Sequence, residues 1–187
     1  MIIKEVLDER KYYEIVEKKM IRLRPYKNCD AEYIVKWIKD EVGFKKWSAS
    51  CFDSYPLSAE MLNAYYMERI NSDSFWVMTA LDDTKVVGQV MMRFLDDEKK
   101  ILRFGFVIVD DSKRGKGYGK QMLSLALKYA FEILKVGKVT LGVFENNPSA
   151  YHCYQSLGFK ESGDKSYCEI LGDKWCCIEL EHEGKAY

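Results

Sequence analysis

A chain of 187 residues that is 48% hydrophobic and 14% aromatic is long enough to bury one sizeable core and too apolar to remain disordered. Its 29 basic and 29 acidic side chains cancel, so no global field points to nucleic acid, and cations gather only locally between residues 113 and 120. Six cysteines without C-x-x-C spacing and two histidines offer no zinc set, no run is long enough to cross a bilayer, and the N-terminus lacks a signal-peptide apolar core. The expectation is a reduced, cytoplasmic protein with no metal, membrane or nucleic-acid partner.

In chain order, residues 1–19 read as a charged helical extension with Val6, Tyr12, Tyr13, Ile15 and Val16 on its apolar side; residues 20–187 read as the domain. A strand opens at 20–25, and Asp30 stands as N-cap for a helix carrying Ile34, Trp37 and Ile38 on one side. Phe44, Trp47, Phe52 and Tyr55 fall in an aromatic loop, and Ser58 opens a second helix with Met61, Leu62, Tyr65, Tyr66 and Ile70. Strands follow at 74–81, 85–94 and 101–109, the last two joined by a polar turn at 95–100. A helix carrying Met122, Ala126, Tyr129 and Ile133 at helical spacing comes next, with Leu123, Ala130 and Leu134 beside them. After a strand at 138–144 and a short helix, segments 165–171 and 174–181 read as a hairpin with Gly172-Asp173 in its turn.

Chemistry concentrates at Arg114-Gly115-Lys116-Gly117-Tyr118-Gly119-Lys120, between the 101–109 strand and its helix. A glycine turn at a helix N-terminus offers unpaired backbone N–H groups and the positive end of the helix dipole, which suits a pyrophosphate. Three glycines let a ligand approach the main chain, and Arg114, Lys116 and Lys120 add positive charge. The letters fail the Walker pattern, because Gln121 follows Gly119-Lys120, and fail G-x-G-x-x-G, because counting from Gly115 reaches Lys120. They fit Arg-x-x-Gly-x-Gly.

A second constellation follows the 138–144 strand. Asn147 is placed as an N-cap, Pro148 suits the first helical position, and Gly158 suits the residue after the helix. Asn147, Ala150, Tyr154 and Gly158-Phe159, together with Arg114, Gly117 and Gly119, resemble the motifs of the GNAT superfamily of N-acyltransferases. The resemblance covers roughly residues 20–182 and is specific over 102–159.

It implies an α+β, mixed α/β fold with a central, mostly antiparallel sheet, splayed strands and flanking helices. It further implies acetyl-CoA as co-substrate, lying between the splayed strands. The main chain of Val107, Ile108 and Val109 would pair with the pantetheine arm like an added strand, and Asn147 would contact that arm. The loop 114–120, Tyr118 included, would hold the pyrophosphate. Tyr154 would protonate the departing sulfur while an amine attacks the thioester directly in a ternary complex. Cys153 beside His152 gives a weaker nucleophile reading, since adjacent helical residues point apart.

Relatives often carry a glutamate base on the strand before the loop; here Arg103 stands in that region, leaving Asp96, Asp97, Glu98, Glu145 or water as the proton acceptor. The acceptor side, between Asp30 and Tyr66, mixes aromatics with Asp30, Asp40, Glu41 and Asp53, a composition suited to a cationic amine. A small-molecule amine and a protein N-terminal or lysine amine both fit, as do a monomer and a homodimer. The alternative is a non-catalytic acyl-CoA-binding or partner-docking module.

Overall fold

The computed structural model describes residues 21–49, 51–70 and 72–184; the extension at 1–19 and Met20 lie outside them. Among the described residues, seven strands form one sheet in the order β1-β2-β3-β4-β5-β7-β6. They are β1 (Ile21–Pro25), β2 (Phe75–Asp82), β3 (Lys85–Phe94), β4 (Ile101–Val109), β5 (Lys138–Phe144), β6 (Lys160–Ile170) and β7 (Asp173–Glu183). Every neighbouring pair is antiparallel except β4–β5. Helices α1 (Ala31–Lys36), α2 (Glu41–Ser48) and α3 (Ala59–Met67) precede β2; α4 (Tyr118–Lys128) and α5 (Pro148–Gln155) flank β5. The mixed α/β fold with a mostly antiparallel sheet is as the motifs imply.

Among the described residues, two large cores form because each face of the sheet is covered by its own helices, and a small third cluster gathers Phe144, Ile170 and Trp175. Met122, Leu123 and Ala126 of α4 and Tyr154 of α5 pack on Val90, Met92, Leu102, Phe104, Val139, Leu141 and Leu180. On the other face Ile34, Phe44, Leu62 and Tyr66 of α1–α3 pack on Phe75, Val77, Met91, Phe106 and Ile108. Strand β4 serves both cores. Leu102 and Phe104 face α4, whereas Phe106 and Ile108 face α1–α3, although all four share one parity in the sequence. The switch is a β-bulge: the β3–β4 register slips by one residue between Gln89 and Met91, with Phe106 at φ +48°.

Four features depart from the sequence reading. Asp30 does precede α1, but its carboxylate does not cap that helix. It is buried and accepts from both Arg24 guanidinium nitrogens at 2.6 and 2.7 Å, from Lys27 N and from the Thr79 hydroxyl. The aromatic loop contains a helix, α2, capped by Asp40, whose side chain accepts from Gly43 N at 2.6 Å. Residues 129–133 form a π turn closed by Leu134 N to Tyr129 O, which rotates Ile133 off the buried face and leaves it 66% exposed. The hairpin is longer than 165–181, and its turn is Leu171-Gly172, both at positive φ, rather than Gly172-Asp173.

Candidate active site

The sheet opens where β4 and β5 part. The two strands share three rungs, Ile101–Lys138, Leu102–Val139 and Arg103–Thr140, and none beyond. β4 continues along β3, while β5 stays paired with β7 to its end at Phe144. From Phe104 onward, the edge of β4 that faces β5 therefore has no strand partner among the described residues. The gap widens into a cleft of about 810 Å³ walled by α2 on one side and by the α4 and α5 N-termini on the other.

The lining gathers Val107, Ile108, Val109, Arg114, Gly115, Gly117, Tyr118, Gly119, Lys120, Asn147 and Tyr154. Lys116 is not among them: its Nζ donates to Ser112 O at 2.9 Å. Gly115 and Gly117 hold φ of +72° and +80°, a backbone that side chains resist, and Gly117 is the N-cap of α4. A Cβ on Gly117 would meet nothing closer than Gln121 Nε2 at 3.9 Å, so it would project into open space. The first-turn amides of α4 have no acceptor within the helix, and with Arg114 and Lys120 they form a cradle that fits a pyrophosphate. The loop is moored from beneath by the Tyr118 hydroxyl, which donates to Asp82 at 2.5 Å.

Across the gap, Asn147 caps α5, its side chain accepting from Ala150 N, with Pro148 in the first turn and Gly158 past the end at φ +95°. That short helix presents Tyr154 to the cleft floor, its ring set edge-on to Phe159. Burial pushes the Tyr154 hydroxyl well above its usual range, so it stays protonated. Burial also raises the Cys153 thiol, outweighing Lys120, which works against a thiolate nucleophile.

The carboxylates weighed as bases lie elsewhere. Asp96 accepts from Lys100 N and Ile101 N at the far end of β4, and neither Asp97, Glu98 nor Glu145 lines the cleft. Arg103 is committed to Glu179 of β7 in a two-pronged ion pair at 2.7 and 2.9 Å. Among the described lining residues Asp40 is the single carboxylate.

Of the residues expected on the acceptor side, Trp37, Trp47 and Asp40 line the cleft, Trp37 being also part of the buried core with Phe44, Phe52 and Tyr66, and Tyr65 lies beneath the Arg69 guanidinium at 3.7 Å. Trp47 lies parallel to Phe52, 6.2 Å away between ring centres, and its Nε1 is buried without a partner among the described residues. Lys46, also on α2, spans the gap to donate to Asn146 O at 2.7 Å. The sequence reading missed α2 and the long-range Arg103–Glu179 and Lys46–Asn146 contacts. Its one local signal was Asp40 ahead of Phe44 and Trp47 at a three-residue step.

The profile of the acetyltransferase (GNAT) family matches residues 31–159. The chain belongs to that family, and the class so defined is N-acetyltransferase, an acyltransferase enzyme. It is 39% identical over 143 residues to a spermidine N(1)-acetyltransferase of Vibrio cholerae, covering 76% of this chain and 80% of that one. Against a prophage-derived uncharacterized N-acetyltransferase of Bacillus subtilis it is 29% identical over 110 residues, 58% of this chain and 61% of the relative. The fold is shared with the crystal structure of a V. cholerae spermidine N-acetyltransferase in complex with CoA and spermine, with a TM-score of 0.74 at 22% identity. That match covers 88% of this chain and 95% of the other. Among the described residues no helix is long and apolar enough to cross a membrane.

Proposed function

We propose that this enzyme transfers the acetyl group of acetyl-CoA to a primary amine of a small aliphatic polyamine, by direct attack in a ternary complex. The observation that carries this reading is the open β4 edge, set between a glycine-framed helix N-terminus and a buried tyrosine in one cleft. The pyrophosphate would rest on the loop 114–120, and the pantetheine amides would pair with the main chain of Val107, Ile108 and Val109 beside Asn147. Acetyl-CoA supplies an activated acyl carbon and a thiolate leaving group.

The protein's part is positioning and proton management. Tyr154, held neutral by its burial, donates to the departing sulfur. The attacking amine must first lose a proton, and with Arg103 engaged by Glu179 no β4 carboxylate takes it, which leaves water in the cleft or Asp40. The polyamine class is supported by the spermidine-acetylating relatives and by Asp40 between Trp37 and Trp47, which offers a carboxylate and aromatic faces to a cation.

The missing strand carboxylate favours one second reading, a module that binds acyl-CoA without turnover. Thiol release from acetyl-CoA distinguishes the two across a panel of spermidine, spermine, an aminoglycoside, an N-terminal peptide and no amine. Turnover fastest with the polyamines is the expected result. Coenzyme A binding with no release on any amine would establish the module instead.

A further inference from the structure

The cleft is an angle between two half-sheets, β1–β4 and β5–β7–β6, and its width depends on what holds the vertex. Backbone pairing at the vertex amounts to the three β4–β5 rungs, and the last of them is Arg103–Thr140. At that rung the Arg103 side chain leaves β4, passes over β5 and grips Glu179 on β7 with both guanidinium nitrogens. The ion pair is half-buried, with side chains 24% and 28% exposed. It thus ties the first half-sheet to the second across the intervening strand.

The strand it crosses is shaped to let it pass. Gly142 is the rung partner of Glu179 on β5 and also lines the cleft. A Cβ there would stand 2.9 Å from Arg103 Nη2, 2.9 Å from Cys177 Sγ and 3.1 Å from Glu179 Oε1. Residue 142 must lack a side chain for the pair to lie flat on the sheet. Three residues from three strands are therefore matched at the point where β4 and β5 diverge. A second tie, Lys46 to Asn146 O, joins α2 to the β5–α5 loop. The vertex pair acts as the pin of a hinge, and the lysine as a clasp across its opening.

We propose that Arg103 and Glu179 are positioning residues that fix the opening angle of the β4–β5 splay, so that the β4 edge and Asn147 stand at the separation a pantetheine arm requires. This inference rests on the reading of the cleft as the acetyl-CoA site. Neither residue lines the cleft, so their effect on the ligand passes through the angle alone. Without the pair, the strands are free to zip one rung further or to part, and a mispositioned binding edge loses affinity and rate together.

The test uses the full-length enzyme. Glu179→Gln keeps the shape and removes the charge, Glu179→Ala removes the grip, and Arg103→Glu with Glu179→Arg reverses the pair. Coenzyme A affinity by calorimetry, both KM values, kcat and Tm are measured for each. The single variants should weaken coenzyme A binding and raise the acetyl-CoA KM by about ten- to a hundredfold, leave the amine KM close to the parent's, and be rescued by the reversed pair.

A lowered Tm with unchanged coenzyme A affinity in the folded enzyme would mean an ordinary stabilising ion pair and would overturn the inference. So would a reversed pair as impaired as the single variants. If Gly117→Ala abolishes binding while both Glu179 variants bind normally, the cleft reading stands and the hinge falls. If the parent enzyme fails to bind coenzyme A, both fall together.

Discussion

Gly117 and Gly172 share a left-handed φ and almost nothing else, which makes them a matched pair for testing the phosphate cradle. Their φ values are +80° and +81°, and an added Cβ would have no neighbour within 4 Å at Gly172 and only Gln121 Nε2, at 3.9 Å, at Gly117. Alanine at either site therefore meets no steric clash and incurs only the left-handed backbone penalty of about 1–2 kcal/mol. For a domain of this size that corresponds to a Tm loss of about 2–8 °C, nearly equal in the two variants. Ligand binding should separate them completely. Gly172 lies in the β6–β7 turn, whereas Gly117 is the N-cap of α4 and lines the cleft, where an added methyl would stand in open space in front of the proposed cradle of backbone amides. Excluding a charged ligand from two such donors forfeits about 3–6 kcal/mol, or about 10²–10⁴-fold in affinity. Differential scanning calorimetry supplies the Tm values, and titration calorimetry with coenzyme A supplies the affinities. Equal coenzyme affinity in Gly117→Ala and Gly172→Ala would refute the cradle.

Other expectations follow from the same geometry. Tyr154→Phe keeps the packing against Phe159 and removes the proton, so coenzyme A should still bind while kcat falls by about 10²–10⁴-fold; unchanged turnover would leave the tyrosine as scaffold. Because burial raises that hydroxyl above its ordinary value of about 10, the donor form persists on the alkaline side, and kcat should rise with pH through amine deprotonation without a falling limb near that value. Trp47→Ala should raise the amine KM and spare acetyl-CoA affinity; a loss of Tm alone would place Trp47 in the core only. Burial pushes the Asp30 carboxyl up, but Arg24, Lys27 N and the Thr79 hydroxyl outweigh it and hold the group below its usual range. Its folded pKa being depressed, its contribution is present above the ordinary carboxylate value of about 3.9 and is lost as pH falls below it. Asp30→Asn should therefore destabilise by about 3–5 kcal/mol at neutral pH, and the gap to the parent should close in acid. A gap of equal size at pH 3 and pH 7 would contradict the ion-pair account.

What could be read from the letters was whatever is encoded locally. The glycine turn, Asn147 with Pro148, Gly158 and the β-branched runs of β2 to β5 each carry their own signal within a few residues. Two other kinds of information were hidden. The Arg103–Glu179 and Lys46–Asn146 contacts span 76 and 100 residues, and no local pattern announces a partner so far away. The bulge at Phe106 was masked by its surroundings. With apolar residues at both parities from Phe104 to Val109, a one-residue slip that moves Phe106 and Ile108 to the opposite core leaves no trace in the alternation. Helix α2 escaped because it spans eight residues with Gly43 inside it, so tertiary packing on β4, as of Trp47 against Phe106, sustains it where intrinsic propensity does not.

The unpaired stretch of β4 is six residues long and apolar, and on the outside of a sheet such an edge is a template for aggregation. Here it is recessed, with α2 and the α5 loop rising on either side and Lys46 reaching across. A neighbouring protein's strand, with side chains on both faces and further strands behind it, is too bulky to enter; a single slender chain bearing amides is not. The recess proposed to admit an acyl carrier thus also keeps that edge off the open surface. If, as proposed, a ligand on that edge pairs with main chain, the side chains of Val107, Ile108 and Val109 remain free to pack in the cores on the two faces of the sheet.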